Sequence, residues 1–404
     1  MKAESRKQTN KAESTKLEPS SLRLSALGFK LKIGYDGKRA ANNLTGLGNY
    51  SRFVIESLAL NYPENKYFVY TPKVEEKLKE ISVFSLANVL LSLPKSSKFL
   101  WRALGIKKQL LADKIDLFHG LSHEIPLGLR KSNIKSIVTI HDLIFLRKPN
   151  YYKFIDRKIY ELKSRYACKN SDRIIAISER TKLDIIELYQ IPEKKIDIVY
   201  QGCEEAFKIK ASPSKLAEVR EKYQLPNQFI LSVGTIEERK NLNLAIEALS
   251  TAATSHPLVV VGKTTTYLEK VKQSIEKYQL QHRVIFLHNV TFNDLPAVYQ
   301  SASLFVYPSF YEGFGIPIIE AINSEVPVIA ASGSCLEEAG GPDSIYVSPS
   351  NPKELASAID KILADENLRQ EMVKKSLKYV QKFNNDFVAK EVMKCYQKAF
   401  SEKI

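Results

Sequence analysis

The chain has 404 residues, 44% of them hydrophobic and 26% charged, with 60 Lys/Arg against 45 Asp/Glu for a formal net charge of +15. This balance fits a globular polypeptide of about two domains and excludes a disordered chain. No apolar run approaches the roughly 20 residues of a membrane-spanning helix, and the polar N-terminus gives no expectation of a secretory leader. The four cysteines, Cys168, Cys203, Cys335 and Cys395, are scattered without metal-ligand spacing, so reduced thiols in a cytoplasmic protein are expected. The charge is uneven: residues 1–28 hold 6 Lys/Arg and 3 Asp/Glu, residues 29–207 hold 31 and 20, and residues 208–404 hold 23 and 22. A basic first half facing something anionic follows, and without a nucleic-acid motif the expectation is a membrane surface or a phosphate-bearing acceptor.

In chain order, residues 1–28 are rich in Lys, Ser, Glu and Thr without periodicity and read as a mobile polar tail. From Lys30 the pattern strand, glycine loop, helix, strand opens a βαβ unit and a parallel sheet. Gly46, Gly48 and Ser51 in TGLGNYS form an incomplete G-x-G-x-x-G. No acidic residue ends the next strand, KYFVY, which argues against a nicotinamide or flavin enzyme.

Between Pro94 and Lys114, Phe99, Trp101, Leu104, Leu110 and Leu111 alternate with Lys95, Lys98, Arg102, Lys107 and Lys108, as an interfacial membrane helix would require. An ordinary amphipathic helix packed on the sheet, interrupted near Gly105, satisfies the same pattern. Short strands then lead into HGLSHEIP and HDLIFLRKP, placing His119, His123, His141 and Asp142 at C-terminal strand ends, where open parallel sheets bind ligands. Ser178 is suited to cap the helix ERTKLDIIELY, and IDIVY runs into QGCEEAF, after which a domain boundary is placed at Phe207.

The second domain opens with FILSV, Gly234 and Thr235, followed by the basic pair Arg239 and Lys240 before a helix, an arrangement that can neutralise a diphosphate. The strands LVVVG and VIFLHNV follow, and then PSFYEGFGIPIIEAINSEVPVIA, Pro308 to Ala330. Here a strand ends in a loop carrying Gly313, Phe314 and Gly315, and Pro317 fits the first turn of the next helix. Such a loop presents free N–H groups to a phosphate, while Glu312 and Glu320, eight positions apart and without basic neighbours in the segment, suit hydroxyl groups. Together they fit a sugar nucleotide.

This stretch resembles the E-x7-E signature of the family 4 retaining glycosyltransferases, and the resemblance extends over most of the chain from about Phe29 onward. It implies the GT-B fold: two doubly wound α/β domains, 29–207 binding acceptor and 208–385 binding the nucleotide sugar, with 386–404 a terminal helix crossing back. By this resemblance His141 contacts the donor sugar with Asp142 beside it, and Gly46 and Gly48 lie in the cleft near the transferred sugar and its phosphates. Arg239 and Lys240 take the diphosphate with Gly234, Thr235 and the Gly313 to Gly315 loop; Glu312 holds the sugar and Glu320 the ribose. His288, Asn289 and Val290 are base-pocket candidates. Gln201 and Cys203 depart from the family's usual turn and put a donor contact there in doubt.

The subgroup implied builds bacterial lipopolysaccharide or capsule, with mannose from a GDP- or UDP-linked donor moved to a glycan or lipid-linked acceptor, no cofactor or metal, and a cytoplasmic place at the inner face of the membrane. An epimerase of the same fold would turn over donor alone, and a non-catalytic scaffold would bind nucleotide without turnover.

Overall fold

The structure is a computed structural model that describes residues 30–75, 81–94 and 101–401. The tail 1–28 and two of the expected membrane contacts, Lys95 and Lys98, lie outside the described residues. The first domain holds β1 (Lys32–Asp36), β2 (Lys66–Tyr70), β3 (Val89–Ser92), β4 (Leu117–Gly120), β5 (Lys135–Ile140), β6 (Arg173–Ala176) and β7 (Ile196–Ile198). They form one parallel sheet in the order β3-β2-β1-β4-β5-β6-β7. The second holds β8 (Ile230–Val233), β9 (Leu258–Val261), β10 (Val284–Leu287), β11 (Leu304–Tyr307), β12 (Val328–Ala331) and β13 (Ile345–Val347). Its order is β10-β9-β8-β11-β12-β13, again all parallel.

The strands are short β-branched runs such as LVVV and VIAA whose residues are buried on both faces, as expected when helices cover both sides of a parallel sheet. In each sheet the strand order reverses beside the first strand, at β1/β4 and at β8/β11. Ligands bind in the crevice at such reversals, beyond the C-terminal strand ends. The loops holding Gly234 and Glu312 leave β8 and β11 there.

Seven helices position the site: α1 (Gly46–Asn61), α2 (Ile106–Ala112), α3 (Phe154–Asn170), α4 (Glu179–Tyr189), α5 (Ile316–Asn323), α6 (Leu336–Gly340) and α7 (Asn385–Ser401). Ser178 caps α4, its hydroxyl accepting from the Thr181 N–H at 3.0 Å. The terminal helix α7 belongs to the first domain in packing: Val388, Val392, Met393 and Tyr396 join the core formed by Tyr35, Val54, Leu58 and Leu117. The Tyr396 hydroxyl reaches His119 Nδ1 at 2.7 Å across 277 residues of chain.

From Trp101 onward, the described part of the stretch considered for a membrane packs on the sheet. Trp101 is only 2% exposed and packs with Tyr70, Ile106, Leu110 and Phe118. Arg102 is paired with Asp36, and Lys107 donates to the Gly128 carbonyl at 2.8 Å. The indole and guanidinium are therefore committed inward, because burying a large ring against the sheet removes more apolar area from water than a shallow interfacial pose. Among the described residues no helix is long and apolar enough to cross a membrane.

Candidate active site

The site is assembled from the loop after β11. Gly315 sits at φ 128°, a conformation that favours glycine, and it turns the chain into α5 with Pro317 in the first turn. The turn aims Glu312 at the end of β8, and the carboxylate is 8% exposed. Lys240 Nζ meets Glu312 Oε1 at 2.6 Å and the Arg239 guanidinium meets Oε2 at 2.6 Å. The Tyr307 hydroxyl also donates to Oε1, at 3.2 Å. Arg239 is held further by the Tyr311 carbonyl at 2.8 Å and the Glu237 carboxylate at 2.6 Å. The segment itself supplies Glu312 no basic neighbour; its two cations come from 72 and 73 positions earlier in the chain, through the β8/β11 pairing.

Burial pushes the Glu312 carboxyl up, but Lys240 and Arg239 outweigh it and hold the group at about 2. Burial pulls the Lys240 ammonium down, offset in part by Glu312. The two cations and the carboxylate thus form one mutually paired cluster. Glu320 behaves oppositely: burial raises its carboxyl to about 7, against a bond at 2.9 Å from the Tyr299 hydroxyl, and Glu204 adds to the rise.

The first domain meets this loop directly. The Ser178 hydroxyl donates to the Gly313 carbonyl at 2.7 Å, and Thr181 reaches the His141 carbonyl at 3.2 Å. A Cβ on Gly313 would stand 2.3 Å from the His141 carbonyl oxygen, so only glycine permits this approach of backbone to backbone. Glu338 on α6 accepts from the Glu179 N–H at 2.7 Å and from the Arg180 N–H at 3.2 Å, capping α4 across the interface. The domains are joined with the cleft closed at this point.

His141 lies at the interface, but both ring nitrogens are engaged. Nε2 donates to the Leu121 carbonyl at 2.8 Å, and Nδ1 accepts from the Gln201 side-chain amide at 3.0 Å, which fixes the tautomer. Burial pushes the imidazole down to about 3, with His123 adding to the fall, so the ring is neutral. Gln201, a departure from the family's turn, thus acts on His141. Asp142 accepts from the Ile144 N–H at 3.0 Å, and its carboxyl is raised by burial. His119 is a packing residue, bonded to Tyr396 and to Thr139 and pushed down to about 3 by burial. Within the Gly313 to Gly315 loop the Phe314 ring is buried, stacked on Tyr200 at 5.4 Å and edge-on to Phe383, which leaves the main chain as the part that can face a ligand.

Two cavities flank this centre. On the second domain a space of about 350 Å³ is lined by Gly262, Lys263, Leu287, His288, Asn289 and Val290. Beside it the backbone of Gly262 approaches Gly234 so closely that a Cβ would stand 1.8 Å from the Gly234 carbonyl oxygen. Thr235 and Gly234 border Lys240. On the first domain a space of about 200 Å³ is lined by Arg39, Leu47, His123, Asp142, Tyr152 and Tyr160. Gly46 and Gly48 form the first turn of α1, which also carries Leu47, and Gly48 admits no side chain because a Cβ would stand 1.9 Å from the Asn43 carbonyl oxygen.

Two family models match: one described as glycosyltransferase family 4 over residues 54–207, the other as glycosyl transferases group 1 over residues 217–379. The chain is 30% identical over 306 residues to the uncharacterized glycosyltransferase MJ1607 of Methanocaldococcus jannaschii, covering 70% of this chain and 76% of that one. The chain is a family 4 glycosyltransferase. It is also 28% identical over 373 residues to the O-antigen chain mannosyltransferase B of Escherichia coli, covering 88% of this chain and 96% of that one. Among solved structures, Anabaena Alr3699/HepE in complex with UDP and glucose matches with a TM-score of 0.71 at 18% identity over 91% of this chain and 99% of that one, a likeness of fold.

Within this glycosyltransferase, sequence reasoning missed the groups that hold the charges in place. Tyr307 and Glu237 brace Lys240 and Arg239, and a cluster of Asp184, Arg180 and Tyr311 ties the domains together. Tyr307 was the one with a signal, as a polar-tipped residue at the C-terminal end of a buried strand.

Proposed function

We propose that the glycosyltransferase moves a mannosyl group from GDP-mannose to a hydroxyl of a growing or lipid-linked surface glycan, with retention of anomeric configuration and without a metal. The observation that carries this reading is the convergence of Arg239 and Lys240 on Glu312 at the β8/β11 reversal, beside the N–H groups that open α5. Two cations beside a helix start suit a diphosphate. The mannosyl preference is supported by the relative named as an O-antigen mannosyltransferase, and a nucleotide diphosphate donor by the UDP complex of the structural neighbour.

In the proposed step the bond from the sugar's anomeric carbon to the diphosphate oxygen breaks, and the electron pair leaves with the nucleotide. The acceptor oxygen bonds to the same face, and its proton passes to the departing diphosphate. Arg239 and Lys240 stabilise the charge that develops there. Glu312 keeps both cations in place and turns a free carboxylate edge toward sugar hydroxyls once the diphosphate shares its partners. Glu320 receives the ribose, and His141, its ring fixed by Gln201 and Leu121, positions the cleft through its carbonyl.

A thermal-shift panel of GDP, UDP, ADP and their sugar conjugates tests the donor site. GDP and GDP-mannose are expected to stabilise the protein, by about 2.7 kcal/mol at a hundredfold excess over Kd. The shift is expected to grow from pH 6 to pH 8, as Glu320 loses its proton and becomes a better hydroxyl acceptor, and to shrink in Glu320→Ala. An equal response of wild type and Glu320→Ala would place the nucleotide elsewhere.

A further inference from the structure

Helix α3 buries only a narrow face, through Ser164, Ala167 and Cys168. On its opposite side Ile155, Ile159 and Leu162, spaced four and three apart, form one stripe along the helix, with Ile155 71% and Leu162 73% exposed. Phe154 at its start is exposed as well. Leaving large aliphatic groups in water is costly, and a row of them on one helix marks a surface that meets something else.

The charge around the stripe says what. Between Arg147 and Asn170 the chain carries eight Lys/Arg against two Asp/Glu, and Lys153, Lys158, Lys163 and Lys169 are exposed beside the apolar row. One of the two acids, Glu161, is already paired with Lys158 and Arg165. Lys163 reaches Glu124 at 3.2 Å, yet the cations of this segment still outnumber its carboxylates, and aliphatic side chains in such a basic surround fit the boundary between anionic headgroups and acyl chains, where the carbons are buried and the lysines stay at the phosphates. They do not fit nucleic acid, which needs aromatic platforms or donors aimed at base edges.

We propose that the outer face of α3 docks on an anionic phospholipid bilayer. The proposal extends the acceptor half of the function above, because Tyr160 and Lys163 of the same helix line the 200 Å³ cavity that contains Asp142 and His123. Docked this way, the helix would bring a lipid-borne hydroxyl to the cavity from the membrane side. The surface differs from the stretch expected from sequence, whose Trp101 is buried.

The experiment is co-flotation of the full chain with vesicles of phosphatidylcholine alone or with phosphatidylglycerol, without donor or acceptor. The wild type is expected to float with the anionic vesicles and not with the neutral ones. The triple variant Ile155→Ser, Ile159→Ser, Leu162→Ser is expected to lose binding by at least about tenfold, since three apolar side chains no longer leave water. Unchanged flotation of that variant would overturn the proposal. So would loss of flotation in Lys95→Glu, Lys98→Glu, Lys108→Glu while the α3 variant still floats. A wild-type dimer by light scattering that the α3 variant renders monomeric would make the stripe an interface between copies and overturn it too. Nucleotide stabilisation measured on the same variant is expected to be unchanged, so failure of the donor reading and failure of the docking surface register separately.

Discussion

Replacing Lys240 with Met is expected to lower kcat by about 10²- to 10³-fold, with a much smaller change in KM, by analogy with removal of one donor that stabilises developing charge. The ammonium lies 2.6 Å from Glu312, and the neighbouring cation, Arg239, is tied to the other carboxylate oxygen, to Glu237 and to the Tyr311 carbonyl, so it does not replace Lys240 on the leaving diphosphate. The same variant carries a second, independent signature in the acid limb of its stability. In the wild type the Glu312 carboxyl sits at about 2, below its ordinary value, so its contribution to stability is present above the unfolded value near 4.5 and is lost as pH falls toward 2. Without Lys240 the carboxyl rises, and acid unfolding begins at higher pH. Steady-state kinetics and a pH series of thermal melts check both. A kcat within about threefold of wild type would remove Lys240 from the chemistry, while an unshifted acid limb would deny the pairing itself.

Gly313→Ala is expected to cost about 10²-fold in kcat/KM, the scale set by an ångström of misplacement in an assembled site. The added methyl group would stand 2.3 Å from the His141 carbonyl oxygen, a backbone atom at the end of β5 that cannot move aside. The domains must separate instead. Because the two sheets have separate cores, melting is expected to change little, whereas the radius of gyration of the nucleotide-bound protein in X-ray scattering rises above that of wild type. Wild-type compactness together with wild-type activity would show that the contact between Gly313 and His141 is incidental.

Most of the architecture was legible because its signals are local. Runs such as LVVV and VIAA are buried strands by composition alone, and the glycine and proline punctuation around Glu312 marks a loop that opens a helix. β3 was not singled out: Val89 is the one β-branched residue of its VLLS, and Leu90 and Leu91 lie exposed at the sheet edge. The site was legible as a set of residues and not as a set of bonds. The E-x7-E spacing drew attention to Glu312, but its partners lie on a strand far away in sequence, and only the β8/β11 pairing brings them together. Trp101, left between two readings, and α3, which was not read at all, were undecided for one reason. A mixed apolar and basic helix can be read from sequence, but which face the fold covers depends on what packs against it. The sheet covers Trp101 and leaves Ile155 and Leu162 in water.

The central claim is transfer of mannose with retention, and the anomeric configuration of the product tests it most directly. The glycosyltransferase is incubated with GDP-mannose, whose mannose is α-linked, and an oligosaccharide acceptor, and the new linkage is read by proton and carbon NMR from its one-bond anomeric coupling. An α-linked mannose is the result expected of front-face displacement with the diphosphate taking the acceptor proton. A β-linked mannose would mean inversion, require a general base that the arrangement around Glu312 does not supply, and contradict the account.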